Sequence, residues 1–84
     1  MYQLNLLEGP RKFLRNLRNK KLLLNLSHRI EELKYNPFPS NSKKLKDNFG
    51  YRLRVGDYRV LYLGDKTIQI IEIYEIGHRR DIYR

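Results

Sequence analysis

Two short runs, Tyr51–Val55 and Tyr58–Leu63, stand on either side of Gly56-Asp57, and this two-residue gap constrains the fold more than any other feature. The flanking runs are rich in Tyr, Val and Leu, and glycine supplies the positive φ that a tight hairpin connection needs. The two runs are therefore expected to pair antiparallel. Successive strand side chains point to opposite faces, so Arg52 and Arg54 share one face while Tyr51, Leu53 and Val55 share the other. Two or more guanidiniums fixed on rigid backbone can grip a phosphate bidentately. Arg59 lies just past the turn, and Gly77-His78-Arg79-Arg80-Asp81-Ile82-Tyr83 adds two more arginines further along. The competing reading is a solvated basic face of a sheet.

The rest of the chain divides by periodicity. Met1 to Leu7 alternates, with Tyr2, Leu4 and Leu6 on one side, and reads as a short strand. Glu8-Gly9-Pro10 breaks it, and Pro10 suits the first turn of a helix, where its missing N–H has no helical partner. Phe13, Leu14 and Leu17 form one helical stripe to about Asn19; Leu22, Leu23, Leu26, Ile30 and Leu33 continue a similar stripe to about Tyr35. Polar residues at Asn19-Lys20 suggest two helices, although one long helix fits almost as well. Asn36-Pro37-Phe38-Pro39-Ser40-Asn41-Ser42 cannot propagate a helix and is read as a loop. A turn at Gly64-Asp65-Lys66 leads into Thr67–Ile76, rich in β-branched residues. Its Ile70-Ile71 doublet breaks simple alternation, so either both faces are buried or a bulge intervenes. The order β-α-α-β-β-β implies an α+β fold: a helical hairpin on one face of a mainly antiparallel four-stranded sheet. The other face is left for function or for a partner.

An 84-residue chain reads as one domain over 1–84, burying about 60% of its unfolded surface. Eighteen Lys+Arg against nine Asp+Glu give a net charge of +9, which favours a polyanionic partner. The excess is spread along the chain: residues 1–42 hold eight basic and three acidic side chains, and residues 43–84 hold ten and six. There is no cysteine, and His28 and His78 stand too far apart for a zinc motif, so neither metal nor cofactor is expected. No signal-peptide pattern and no apolar run of bilayer-spanning length is present, so the expectation is a soluble cytoplasmic protein without a membrane partner.

Taken together, the short first strand, the helical hairpin, Lys43-Lys44-Leu45-Lys46, Tyr-Arg-Leu-Arg-Val-Gly-Asp-Tyr-Arg-Val-Leu-Tyr at 51–62 and Gly-His-Arg-Arg-Asp-Ile-Tyr at 77–83 resemble the RelE/ParE superfamily of toxin–antitoxin toxins, within it the RelE-type mRNA endonucleases. The likeness spans essentially the whole chain, and residues 51–62 and 77–83 make it specific. It implies a toxin that enters the ribosomal A site, cleaves the mRNA codon there, and is silenced by a cognate antitoxin. On the family's pattern Arg59 and Arg79 match phosphate-binding arginines, Arg52 and Arg54 match positions usually basic and often lysine, and Tyr83 matches a terminal tyrosine proposed in proton transfer or base stacking. Lys43, Lys44, Lys46 and Arg80 are expected to contact RNA phosphates, the lysines only nonspecifically and with a solvated loop as their competing reading.

RNA carries its own nucleophile, the 2′-OH, so an enzyme need supply only orientation, charge neutralisation and proton transfer. Arginine stays protonated, so Arg52 and Arg54 are poor bases where a lysine with a depressed pKa would serve. His78 is a candidate base if its ring faces the arginine cluster, against a strand-end histidine tying down backbone, and Tyr83 is the other candidate, against a ring closing the core edge. Solvated or salt-bridged roles, with Asp57, Glu75 or Asp81, compete for Arg59 and Arg79. His28 reads as structural or exposed, and Tyr51, Tyr58, Tyr62 and Tyr74 as packing residues. Two further functions share the fold: a ParE-type inhibitor of DNA gyrase, and a noncatalytic nucleic-acid or ribosome-binding module.

Overall fold

A computed structural model describes residues 1–46 and 50–82. Strand β1 (Gln3–Leu6) leads into helices α1 (Glu8–Asn16) and α2 (Lys20–Glu32). Pro10 is buried in the first turn of α1, where the absent N–H costs no hydrogen bond. Asn19 settles the choice between one helix and two. Its backbone is extended, and its Oδ1 accepts from Leu22 N at 3.0 Å, capping α2 while ending any continuation from α1. Both helices stop short of the expected ends, at Asn16 rather than Asn19 and at Glu32 rather than Tyr35. Residues 33–35 form a turn, tied to β1 by Tyr2 N donating to Lys34 O at 2.9 Å.

The sheet has five strands rather than four, in the order β1-β5-β4-β3-β2. Strand β2 (Ser42–Lys44) is the unexpected one; it pairs antiparallel with β3 (Tyr51–Val55), matching Lys43 with Arg52. Three residues, two of them lysines, carry no periodic signal, and short lysine-bearing strands are how sheet edges are kept from pairing with other chains. Strand β4 (Tyr58–Asp65) lies between β3 and β5 (Ile70–His78), both antiparallel to it, and β1 closes the far edge parallel to β5. The expected turn at Gly64-Asp65-Lys66 lies later. Asp65 ends the strand and its Oδ1 accepts from Thr67 N at 2.8 Å and Ile68 N at 3.2 Å, so residues 66–69 turn and β5 begins at Ile70.

A bulge does interrupt β5, though beyond the Ile70-Ile71 doublet. Leu61 faces Glu75 and Tyr62 faces Ile73, leaving Tyr74 as the extra residue. Side-chain parity reverses there: Ile71 and Ile73 face the helices before the bulge, Ile76 and His78 after it. Leu26, Ile30 and Leu33, at i, i+4 and i+7, bury against Leu53, Val55, Val60, Tyr62 and the β5 isoleucines. Phe13, Leu14 and Leu17 of α1 pack at the margin of this core.

Gly50 has φ +101°, and a Cβ there would collide with the Tyr62 carbonyl oxygen, so only glycine fits. A short helix α3 (Arg79–Ile82) follows β5 and folds over the sheet face away from α1 and α2. The Ile82 side chain lies 3.4 Å from where a Cβ on Gly77 would stand, and Gly77 pairs with Arg59 on that face.

Tyr62 is fully buried, and its hydroxyl donates to Pro37 O at 2.6 Å, pinning the 36–39 loop to the sheet. Burial pushes its phenol above the ordinary value of 10.0. The unfolded chain therefore releases this proton first, and stability falls as pH climbs past that value toward the folded one. Tyr62→Phe should cost about 0.5–1.5 kcal/mol at neutral pH through the lost hydrogen bond, yet flatten the alkaline decline. Urea unfolding at pH 7 and pH 11 checks both halves.

Candidate anion-binding face

The hairpin turn is the anchor of the site. Gly56 has φ +60° and Asp57 does not, the pattern of a type II′ connection. All three carbonyls around the turn are taken by residues expected to bind phosphate. One guanidinium nitrogen of Arg59 donates to Gly56 O at 2.8 Å and to Tyr58 O at 2.9 Å, while the Arg79 amide donates to Asp57 O at 2.8 Å. Arg59 is only 6% exposed. A buried guanidinium is tolerated when its donors are satisfied, and here the backbone supplies acceptors.

Sheet register gathers the other cations. Arg54 lies directly opposite Arg59, and Arg52 directly opposite Lys43, so all four stand on the face away from α1 and α2. They line one depression of about 300 Å³ together with Ser40, Asn41 and Ser42. Like charges directly opposed across strands destabilise a sheet, by about 0.2–1 kcal/mol per pair. Four cations gathered on one face make it a candidate site for negative charge. The side-chain amide of Asn41 donates to Arg54 O at 3.1 Å and the Arg54 amide donates to Asn41 O at 3.0 Å, which fixes the rim. Asn41 and the neighbouring serines were not among the expected site residues; their only sequence signal is the polar composition of the loop.

Other expected site residues are placed differently. Lys44 pairs with Tyr51 and so faces the helix side at the sheet edge, and Lys46 is exposed beyond β2, so neither joins the depression that Lys43 lines. Arg79 is exposed at the turn end, its Nε 4.0 Å from Asp57 Oδ1, and Arg80 is exposed on α3. Tyr83 lies outside the described residues.

His78 does not meet the condition for a base in the arginine cluster. It pairs with Tyr58, on the helix side, and its ring sits edge-on to Tyr58 with centroids 5.2 Å apart; Tyr58 in turn meets Phe13 at 6.1 Å. His78 Nδ1 accepts from the Arg80 amide at 3.2 Å, which makes His78 the side-chain cap of α3 and leaves the ring proton of the neutral form on Nε2. His28 is an exposed α2 residue 3.6 Å from Glu32, in keeping with a surface role.

The architecture is α+β with cations gathered on one sheet face, and comparison with known proteins places the chain in a family. Residues 7–83 match the family model of the ParE toxin of type II toxin–antitoxin systems, and the chain belongs to this RelE/ParE superfamily of toxins. Similar solved structures include the RelBE2 toxin–antitoxin complex of Mycobacterium tuberculosis (TM-score 0.78, 23% identity, 93% of this chain and 98% of that one). The archaeal RelE–RelB complex of Pyrococcus horikoshii OT3 gives TM-score 0.77 and 25% identity over 93% of this chain and 94% of that one. The YoeB/ParE toxin of Agrobacterium tumefaciens gives 0.72 and 18% over 90% and 96%. No curated protein matches the chain in a sequence search.

If the cationic face binds an anion, sulfate should raise Tm beyond what sodium chloride does at equal ionic strength, because it binds only the folded face. Arg54→Gln should gain stability in sulfate-free buffer, up to about 1 kcal/mol from relief at the Arg54/Arg59 pair, and lose most of the sulfate response. Thermal melts of both proteins give the answer; a Gln variant with an unchanged sulfate response would place the anion elsewhere.

Proposed function

We propose that this toxin is a ribosome-dependent mRNA endonuclease of the RelE kind, working in the cytoplasm where translating ribosomes are. The observation that carries the reading is the convergence of Lys43, Arg52, Arg54 and Arg59 on one sheet face, in register-opposed pairs. Cleavage by the substrate's own 2′-OH concentrates negative charge on the phosphorane and the leaving 5′-oxygen. Fixed guanidiniums aimed at that charge act without reorganising. Arg52 and Arg54 supply neutralisation, since arginine does not accept protons at neutral pH. Arg59 holds the turn as well as the field, and Arg79, exposed at the same end beside Asp57, contacts the scissile phosphate. The proton from the 2′-OH passes to Tyr83 as its phenolate or to a ribosomal group, the leaving 5′-oxygen takes a proton back from that group or from water to leave as the 5′-OH, and His78 serves as the cap that sets α3 across the face.

A cognate antitoxin is the expected silencing partner: solved relatives are toxins held in complexes with RelB antitoxins, and a chain of net charge +9 attracts an acidic peptide. The ParE family match supports a second reading, inhibition of DNA gyrase with the same fold.

Primer extension on translated mRNA, run beside a gyrase supercoiling assay, separates the two. The proposal expects discrete cuts and unimpaired supercoiling; the reverse pattern would establish the second reading. Arg79→Ala should lower single-turnover cleavage roughly 10²–10³-fold, the cost of about 2.7–4 kcal/mol of transition-state stabilisation, while leaving the fold intact. Arg59→Ala is a poorer probe because it also strips Gly56 O and Tyr58 O of their donor. His78→Asn, whose Oδ1 replaces Nδ1 as a cap acceptor, should keep cleavage within about tenfold of the parent. A loss as large as that of Arg79→Ala would mean His78 touches the substrate.

A further inference from the structure

The cationic depression ends at a ridge formed by Ser40 and Asn41, and those two residues also line a second depression of about 330 Å³ on the ridge's other side. Its chemistry is different. Tyr35 and Asn36 line it together with Arg29 and Glu32, whose charges offset each other across 3.9 Å. The first hollow is a place for phosphate; the second offers an aromatic ring, an amide and a hydroxyl.

Tyr35 is 76% exposed. Of the eight aromatic residues described it alone is exposed, the others being half-buried or buried. Five of those seven do packing work against other rings: Tyr51 stacks on Tyr62 at 5.6 Å, Phe38 meets Tyr51 at 4.7 Å, and Tyr58 lies between Phe13 and His78. Tyr35 has no such work, yet its backbone is firmly set. Its amide donates to Glu32 O at 3.1 Å, the next amide donates to the same oxygen at 3.0 Å, and the preceding carbonyl accepts from Tyr2 N. A ring presented to water on anchored backbone, beside a cationic face, has the makings of a stacking platform, because every nucleobase offers a π-face.

Resting on the endonuclease reading, we propose that this second depression is a nucleobase subsite. An unpaired RNA nucleotide adjoining the phosphate held by Lys43, Arg52 and Arg54 crosses the Ser40-Asn41 ridge and stacks its base on Tyr35, with Asn36 and Ser40 beside its polar edge. The nucleotide is either the mRNA residue next to the cut or an unpaired residue of ribosomal RNA; the recognition chemistry is the same.

The test uses the purified toxin and a 5′-labelled, uncleavable 2′-O-methyl heptanucleotide, followed by fluorescence anisotropy across a salt series. Tyr35→Ala should weaken binding roughly 5- to 100-fold, the range for losing one stacked base, while Tyr35→Phe stays near the parent. The salt slope should be unchanged in Tyr35→Ala, because no phosphate contact is lost, whereas Arg52→Ala should reduce it by about 0.7. Placing an abasic unit at each position in turn should reveal one nucleotide whose loss weakens the parent but not Tyr35→Ala. On ribosomes, a shift in which codons are cut by Tyr35→Ala identifies the mRNA nucleotide, and a uniform loss at all codons identifies the ribosomal one. Equal affinity of Tyr35→Ala and parent for the oligonucleotide would overturn the subsite, as would a loss confined to binding of an acidic antitoxin peptide. In either case parental cleavage of translated mRNA leaves the endonuclease reading standing; a parent that neither binds RNA nor cuts it removes both.

Discussion

The Gly56-Asp57 turn sets the positions of the candidate site residues on β3 and β4. A two-residue connection with positive φ at its first position admits one register, and that register matches Arg54 with Arg59, Leu53 with Val60 and Val55 with Tyr58. Slipping by one residue would move the arginines into the core and the valines into water. The turn is then held by the residues it positions, since its carbonyls take the Arg59 guanidinium and the Arg79 amide. The end of β5 is thereby fastened to the end of the hairpin, and α3 begins from a fixed point.

This arrangement trades stability for charge. The helix side of the sheet is an ordinary apolar core built from Leu26, Ile30 and Leu33 against β-branched strand residues. On the other side the central strand buries Arg59 and Leu61, with Ile82 folded over Gly77 beside them and cations opposed across β2, β3 and β4. Removing one charge of an opposed pair would relieve that repulsion. Strain of this kind, concentrated on one face while the other is conventional, is what a site looks like when local rules are broken for function.

Much of this was legible in the residues. The alternation around Gly56-Asp57 gave the hairpin and the shared face of Arg52 and Arg54 correctly, because a period of two and a tight turn leave no freedom. The α+β order and the helix break at Asn19 were readable for similar local reasons. Strand β2 was not, since Ser42-Lys43-Lys44 owes its extended form to pairing with β3 and to no preference of its own. Of the two readings of His78 the structure favours the one that ties down backbone, and one extra residue on β5 is the reason. Simple alternation from Ile71 and Ile73 puts His78 with the arginines; the bulge at Tyr74 flips the parity and turns it toward Tyr58. A bulge is a property of two paired strands, and one strand's sequence signals only that something is irregular. The burial of Arg59 was likewise hidden, because it depends on α3 returning over the face.

Under the proposed endonuclease function, the cationic face neutralises a phosphate attacked by its own ribose. The most direct measurement places a single 2′-deoxy or 2′-O-methyl ribose at the nucleotide 5′ of the cut in a ribosome-bound mRNA and follows cleavage in a single turnover. The account predicts that cutting stops at that position, with toxin binding unchanged, because the nucleophile alone has been removed. Cutting of the modified RNA at the parental rate would contradict it.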